Sequence, residues 1–184
     1  PGQAFAPERQ LNEHFAPTEA GRETAGLGSG VMRVMLAADP AGTLWAIWLD
    51  KRNANSGYAV WGASSRDGGN TFGPNQMVQD ALGDAVPQWH ASLAGGKIGF
   101  VAAWDDTREG WGDTGEPGDV LLSWNTDGTW SPDLVVPGAS GEGYQGSPAI
   151  ALDPHGDLHL IWIERDDLSS PSRLRYLRAT FNGP

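Results

Sequence analysis

Acidic residues and arginines follow three tryptophans, at the ends of three similar segments of the chain. The segments are AIWLDKR (46–52), VAAWDDTR (101–108) and LIWIERD (160–166). An acid and an arginine close together at the end of a strand can hold a polar ligand through charge-assisted hydrogen bonds. The repetition also fits a structural ion pair that fixes a loop, and it favours that alternative. The set consists of Asp50 and Arg52, of Asp105, Asp106 and Arg108, and of Glu164 and Arg165.

A second set of candidates lies near the start of three apolar segments, each at the same distance from the turn that follows. These candidates are Arg33, His90 and Ser147. Arg33 interrupts the apolar run VMRVML (31–36), and a guanidinium in such a run must find water or a carboxylate. A lone histidine such as His90 is as typical of a structural group as of a ligand-binding one. We rank Arg33 first among the three.

Aromatic residues in polar, glycine-rich stretches form a third set. Trp111 lies in REGWGDTGEPGD (108–119), which is too polar to belong to a core. An aromatic ring in such a loop is suited to stacking on a sugar. Trp89 and Tyr144 are further candidates, with Glu142 nearby, although both aromatics also fit a role as packing wedges between sheets.

The elements that position these residues repeat along the chain. The three tryptophans Trp48, Trp104 and Trp162 are 56 and 58 residues apart, a period typical of an array of supersecondary units. Each unit reads as an apolar strand, a tight turn, an alternating strand that contains the tryptophan, and one or two further strands. Four antiparallel strands per unit, repeated, predict an all-β fold made of β-propeller blades.

Two turn motifs connect this pattern with a known family. SRDGGNTF (65–72) has Ser65, Asp67, Gly69, Thr71 and Phe72, and NTDGTW (125–130) keeps Asp127, Gly128 and Trp130. These residues resemble the Asp-box of sialidases and other BNR-repeat propellers, and the resemblance covers essentially the whole chain. It implies a sialidase-like β-propeller. In such a turn the aspartate caps the backbone, the glycine adopts a positive φ and the aromatic residue fills the gap between sheets.

The resemblance places a ligand pocket over the propeller axis, on the face opposite the Asp-box turns. Sialidases use three arginines, a tyrosine assisted by a glutamate, and an aspartate. Only Arg33 occupies a comparable position here, and Glu142 and Tyr144 are sequence neighbours instead of partners from separate blades. We therefore expect a non-catalytic scaffold that binds a carbohydrate, another small polar ligand or a protein partner at the axial face. The alternative is a glycoside hydrolase of exo-sialidase type with a rearranged active site.

Composition narrows the possible partners and cofactors. The net charge of −11 over 184 residues argues against nucleic acid and anionic membranes, which need clustered lysines and arginines. There are no cysteines, hence no disulfides and no thiolate metal site. We predict no cofactor and no metal. No apolar run reaches the ~20 residues of a membrane span, and the family resemblance implies a secreted or periplasmic protein instead of a cytoplasmic one.

The repeat units predict a single half-ring domain over residues 1–184. We assign the blades to residues 28–85, 86–143 and 144–184, the last of them incomplete. AFAPERQLNE (4–13) aligns with TFGPNQMVQD (71–80) and TWSPDLVVPG (129–138), the outer strands of the first two blades. Because propellers need at least four blades, we expect a six-bladed homodimer in which each 4–13 segment completes the partner's last blade. A fragment of a longer propeller is the alternative.

Overall fold

Three antiparallel sheets follow one another along the chain. The computed structural model describes residues 6–13, 31–50, 58–80, 88–108, 118–167 and 169–181. The first sheet contains β1 (Val31–Ala38), β2 (Leu44–Asp50), β3 (Ala59–Ser65) and β4 (Gln76–Met77). The second contains β5 (Gln88–Gly96), β6 (Gly99–Asp106), β7 (Asp119–Asn125) and β8 (Leu134–Val135). The third contains β9 (Tyr144–Leu152), β10 (Asp157–Arg165) and β11 (Arg173–Thr180).

The predicted all-β fold of repeated meanders is confirmed. Strand order within each sheet follows chain order, so every pair is joined by a local hairpin. The described ranges contain no helix, and therefore none that could cross a membrane. The outer strands β4 and β8 are shorter than the sequence predicts, with two residues each.

In the first and third sheets, an aspartate side chain stabilises the hairpin turn between the first two strands. Asp39 Oδ1 accepts a hydrogen bond of 2.8 Å from the Thr43 N–H. Asp153 Oδ1 accepts one of 3.0 Å from the Asp157 N–H. The glycine at φ +96° in the second turn, Gly156, adopts a conformation that is costly for other residues. These turns place the first strand of each sheet beside its partner in a fixed register.

The first strands of the three sheets lie side by side. A side chain at Gly95 of β5 would put its Cβ 2.4 Å from the Ala38 carbonyl oxygen of β1. A Cβ at Gly96 would lie 2.9 Å from Leu152 Cβ of β9. Glycine thus permits close approach of β5 to both neighbouring strands. With β1, β5 and β9 innermost, the sheets are arranged radially, as blades are around an axis.

The apolar core lies between consecutive blades. One buried cluster joins the first and second sheets and includes Trp45, Ile47, Phe100 and Trp104. Another joins the second and third sheets and includes Val101, Val120, Leu160 and Trp162. Trp104 and Trp162 therefore pack against a neighbouring unit, whereas Trp48 lies in a third cluster with Ala46 and Ala63, against which Leu11 packs.

Candidate ligand site at the axial face

Each innermost strand contains a β-bulge near its start, opposite the repeat tryptophan of its own blade. The register shifts once between β1 and β2, once between β5 and β6, and once between β9 and β10. In each bulge two residues face one residue of the neighbouring strand. The pairs are Arg33 and Val34 opposite Trp48, His90 and Ala91 opposite Trp104, and Ser147 and Pro148 opposite Trp162.

The first residue of every bulge has a positive φ. The values are 52° for Arg33, 43° for His90 and 52° for Ser147, and no other non-glycine residue in the described ranges has a positive φ. An L-residue in this region costs about 1–2 kcal/mol, and glycine avoids the cost. Backbone strain of this kind clusters at functional sites. The three strained residues mark equivalent points at one end of three adjacent strands, which is the axial face.

Asp105 links the bulges of the second and third blades. Its Oδ2 atom lies 2.6 Å from His90 Nδ1 and accepts a bond of 3.2 Å from the Ser147 N–H. The Asp105 side chain is fully buried, whereas the His90 side chain is 35% exposed. Asp105 Oδ1 has no hydrogen-bond partner among the described residues. The result is an oriented imidazole, held by a buried carboxylate and open to solvent.

Tyr144 and Ser147 extend this cluster along β9. The Tyr144 hydroxyl lies 3.2 Å from Ser147 Oγ, and Arg165 stacks over the tyrosine ring at 4.9 Å from its centroid. A Cβ at Gly146 would lie 2.6 Å from both the Tyr144 hydroxyl and Asp105 Oδ2. Only glycine therefore lets these two polar groups converge. The sequence predicted Tyr144 as a loop aromatic, but the structure buries it at the start of a strand.

The acidic residues two positions after the repeat tryptophans engage neighbouring side chains. The indole N–H of Trp48 donates to Asp50 Oδ2 at 3.0 Å, and that of Trp104 donates to Asp106 Oδ2 at 3.1 Å. In the third blade, Glu164 instead accepts two bonds from Arg175, at 2.9 and 2.7 Å. These three carboxylates thus have partners within their own blades.

Arg108 forms an ion network between the outer parts of the first two blades. Its NH2 atom lies 2.7 Å from Asp106 Oδ2 and 2.6 Å from Asp133 Oδ2, and NH1 lies 3.6 Å from Asp80. Burial raises the pKa of Asp133 to about 6, whereas the backbone N–H of Asp133 lowers the pKa of Asp80. The network links the end of β6 to the residue before β8, and the Arg108 guanidinium contacts three carboxylates.

The turn from Ser65 to Phe72 is held by Asp67. Asp67 accepts bonds from the Thr71 hydroxyl at 2.6 Å, the Thr71 N–H at 2.8 Å and Ser65 Oγ at 2.8 Å. These bonds, that of the Thr71 hydroxyl first, lower the Asp67 pKa to about 2. In the second copy of the motif, Asp127 Oδ1 accepts a bond from the Thr129 N–H at 3.1 Å. Gly69 and Gly128 both have positive φ, and Phe72 and Trp130 pack against apolar clusters.

Arg33 and Trp89 are further candidates within the described residues. Arg52 and Trp111 fall outside the described residues. Arg33 is exposed and has no hydrogen-bond or ion-pair partner among the described residues, so its guanidinium faces solvent at the first bulge. Trp89 packs against the Tyr58 ring at 5.6 Å. A shallow cleft lined by Arg66 and the turn residues lies at the opposite end of the strands.

The sequence analysis places Asp105 in the repeated acid–arginine set and does not distinguish it from Asp106. The signal for its different role is its position. It directly follows the repeat tryptophan, where the other two blades have Leu49 and Ile163. An acid at a position that is otherwise apolar points inward to a partner. Among the described residues, no group of three or more His, Asp or Glu side chains is arranged to hold a metal ion.

Three solved structures superimpose on most of the chain. A Hadza microbial sialidase superimposes with a TM-score of 0.60 at 17% identity, over 83% of this chain and 36% of its own. An ulvan lyase from a new polysaccharide lyase family gives 0.59 at 18%, over 83% and 42%. An α-L-arabinanase of Penicillium chrysogenum, complexed with arabinobiose, gives 0.59 at 17%, over 85% and 48%. The chain has the sialidase-like β-propeller fold.

These comparisons show the fold alone, because identities are low. The chain spans less than half the length of each of these three structures. No protein-family model and no curated protein matches the sequence.

Proposed function

We propose that this chain is a sialidase-like propeller scaffold that binds a carbohydrate at its axial face, without catalysis. The observation that carries the proposal is the strained trio Arg33, His90 and Ser147. A bulge with a left-handed first residue selects glycine unless the side chain has a use. All three blades instead place a polar side chain there. The Arg33 guanidinium and the Ser147 hydroxyl can donate hydrogen bonds to sugar oxygens, and His90 Nε2 can form a hydrogen bond with a sugar hydroxyl.

The surroundings of the trio support a polar ligand over an apolar one. The half-exposed His90 and the Ser147 hydroxyl are oriented by Asp105 and Tyr144, and the exposed Arg33 provides a positive charge. Preformed hydrogen-bonding groups of this kind give orientation and specificity to a small-molecule site. The solved sialidase, ulvan lyase and arabinanase structures bear names of carbohydrate-active enzymes, which supports a saccharide as the ligand class.

A glycan array tests the proposal, with sialylated, arabinan and uronic-acid-containing glycans as probes. At least one of these three classes of glycan should bind the wild-type chain. Arg33→Ala should weaken retention by about 10-fold or more, the loss expected for a hydrogen bond to a charged group. Arg66→Ala is the matched control, because Arg66 lies at the opposite end of the strands. Equal retention by wild type and Arg33→Ala, or no retained glycan, would contradict the proposal.

A glycoside hydrolase of sialidase type is the second candidate, and the Asp105–His90 pair favours it. A buried carboxylate that orients an imidazole is the arrangement that enzymes use for general acid–base chemistry. Within the described part of the chain, no hydrogen bond engages His90 Nε2, so that atom is available to a substrate. Hydrolysis of a fluorogenic sialoside discriminates the candidates. Turnover that is lost in both Arg33→Ala and Asp105→Asn would favour the hydrolase.

A further inference from the structure

We infer that residues 6–13, here called the N-terminal segment, form the fourth strand of the β9–β11 sheet in a second copy of this chain. The first two sheets have four strands, whereas the third has three in the described part of the chain. The outer edge of β11 is therefore unpaired among the described residues. The N-terminal segment forms no ladder with any of the described strands. The described residues thus include a strand edge with no neighbouring strand and a segment that belongs to none of the three sheets.

The N-terminal segment already lies where the outer strand of a preceding blade would lie. The Glu13 N–H donates to Asn75 Oδ1 at 2.9 Å, and the Asn75 N–H donates to Glu13 Oε1 at 3.1 Å. The same reciprocal pair joins the first blade to the second. There the Asp80 N–H donates to Asp133 Oδ1 at 3.1 Å, and the Asp133 N–H donates to Asp80 Oδ2 at 2.9 Å.

The N-terminal segment matches the outer-strand segments 71–80 and 129–138 in sequence as well as in its contacts. Glu13 and Asp80 are both the last residue of the aligned ten-residue segments 4–13 and 71–80. Leu11 aligns with Val78 and Val136 in the same way. Val78 and Val136 are buried in the clusters on either side of the second blade, and Leu11 packs against the corresponding cluster around Trp48. The segment contacts the first blade as β4 and β8 contact the blades that follow them.

Both end faces of the three-blade array expose apolar residues whose equivalents are buried inside it. On the first face, Val34 is 71% exposed, whereas Ala91 at the same bulge position is 2% exposed. On the second face, Leu174 is 76% exposed, whereas the equivalent Val60 and Val120 are fully buried. Each face therefore has the composition of a junction between blades.

A second copy is the occupant that fits both faces together. One face supplies the extra strand and the other has the edge that lacks it, so two copies related by a two-fold axis would make the same contact twice and close a ring. Closure would also remove the free edge of β11, which is otherwise a site for aggregation.

The register of the exchanged strand follows from the two complete blades. In these, Met77 pairs with Trp61 and Val135 pairs with Leu121. Gln10 is the aligned residue of the segment, and Arg175 is the residue of β11 that faces the repeat tryptophan as Trp61 and Leu121 do. Gln10 of one copy should therefore face Arg175 of the other. The Leu11 N–H should donate to the Leu174 carbonyl, as Val78 and Val136 donate to Val60 and Val120.

Light scattering and cysteine cross-linking of the 184-residue chain test this inference. The particle should have twice the 19.5 kDa mass of one chain. Leu174→Asp should reduce it to a single-chain mass, whereas Val135→Asp, at an exposed apolar site on β8 of the second blade, should leave it intact. A wild-type particle with the mass of one chain, or of more than two chains, would overturn the closed two-copy ring.

Cross-linking tests the register without depending on the fold of an interface variant. The chain has no native cysteines, so the pair Gln10→Cys and Arg175→Cys would contain its only thiols. Directly paired strand residues lie within disulfide reach, and oxidation should link two chains. The control pair Gln10→Cys and Leu177→Cys is displaced by two residues and should link poorly. A link within one chain, no link at Arg175, or equal linking at Leu177 would each refute the exchange.

Discussion

Replacing Arg33 by glycine is expected to stabilise the protein relative to alanine at the same position. Arg33 begins the bulge of β1 with a φ of 52°, its side chain is exposed, and it has no partner among the described residues. Both substitutions remove the same guanidinium. They differ only in the Cβ atom, which makes the left-handed conformation unfavourable by about 1–2 kcal/mol. Glycine loses about 0.4–1 kcal/mol more backbone entropy on folding than alanine does.

The midpoints of these two ranges differ by about 0.8 kcal/mol, and Arg33→Gly should be more stable than Arg33→Ala by about that amount. Urea unfolding followed by tryptophan fluorescence can measure this difference as a shift in midpoint at constant slope. Leu36 is the control position, since it lies on the same strand, is exposed and has an ordinary strand conformation. There the order should invert, with glycine less stable than alanine. If Arg33→Gly is no more stable than Arg33→Ala, the strain assigned to the bulge is absent.

Three further predictions concern the turn, the ion network and the site. Because the folded-state pKa of Asp67 is about 2, the stability that its carboxylate contributes is present above pH 4 and declines as the pH falls through 2. Asp67→Ala should therefore lower the free energy of unfolding more above pH 4 than at pH 2, and an equal loss at both pH values would contradict its role as an ionised turn cap. Because burial raises the Asp133 pKa to about 6, ionisation favours the unfolded state, so wild-type stability should fall from pH 4 to pH 6 more steeply than that of Asp133→Asn in urea titrations. Parallel pH profiles would refute this. Gly146→Ala, which crowds Asp105 and Tyr144, should cost about 1–3 kcal/mol in thermal unfolding and abolish glycan retention, and unchanged values of both would contradict the proposed site geometry.

The blade pattern could be predicted from the sequence because it is local. The spacing of Trp48, Trp104 and Trp162 and the alternation around them indicate strands and their repetition, and hairpins join nearest neighbours. The placement of Arg33, His90 and Ser147 at equivalent points of the inner strands also follows from counting to the next turn. The structure has all three at the same position of the same bulge.

The bulge itself and the role of Asp105 could not be predicted in this way. A bulge inserts one residue and reverses the alternation that sequence reading relies on. The bond from the Ser147 N–H to Asp105 spans 42 residues and joins two blades. The sequence near Asp105 gives only one sign of this non-local bond, which is an acidic residue at a position where the other two blades have Leu49 and Ile163. The loop position predicted for Tyr144 is wrong for a different reason. Its glycine-rich flanking sequence is typical of a loop, although β9 begins at Tyr144.

Histidine resonances provide the most direct test of ligand binding at the axial face. The chain has four histidines, of which His90 lies in the axial cluster and His155 lies in the β9–β10 turn at the opposite end. With histidine labelled by 15N and 13C, sialic acid and arabinobiose can each be titrated and the His90 ring assigned from His90→Gln. We expect a saccharide that binds to shift the His90 ring resonances and leave those of His155 unchanged. Binding that shifts His155 and not His90, or failure of both sugars to shift His90, would contradict a carbohydrate site at the axial face.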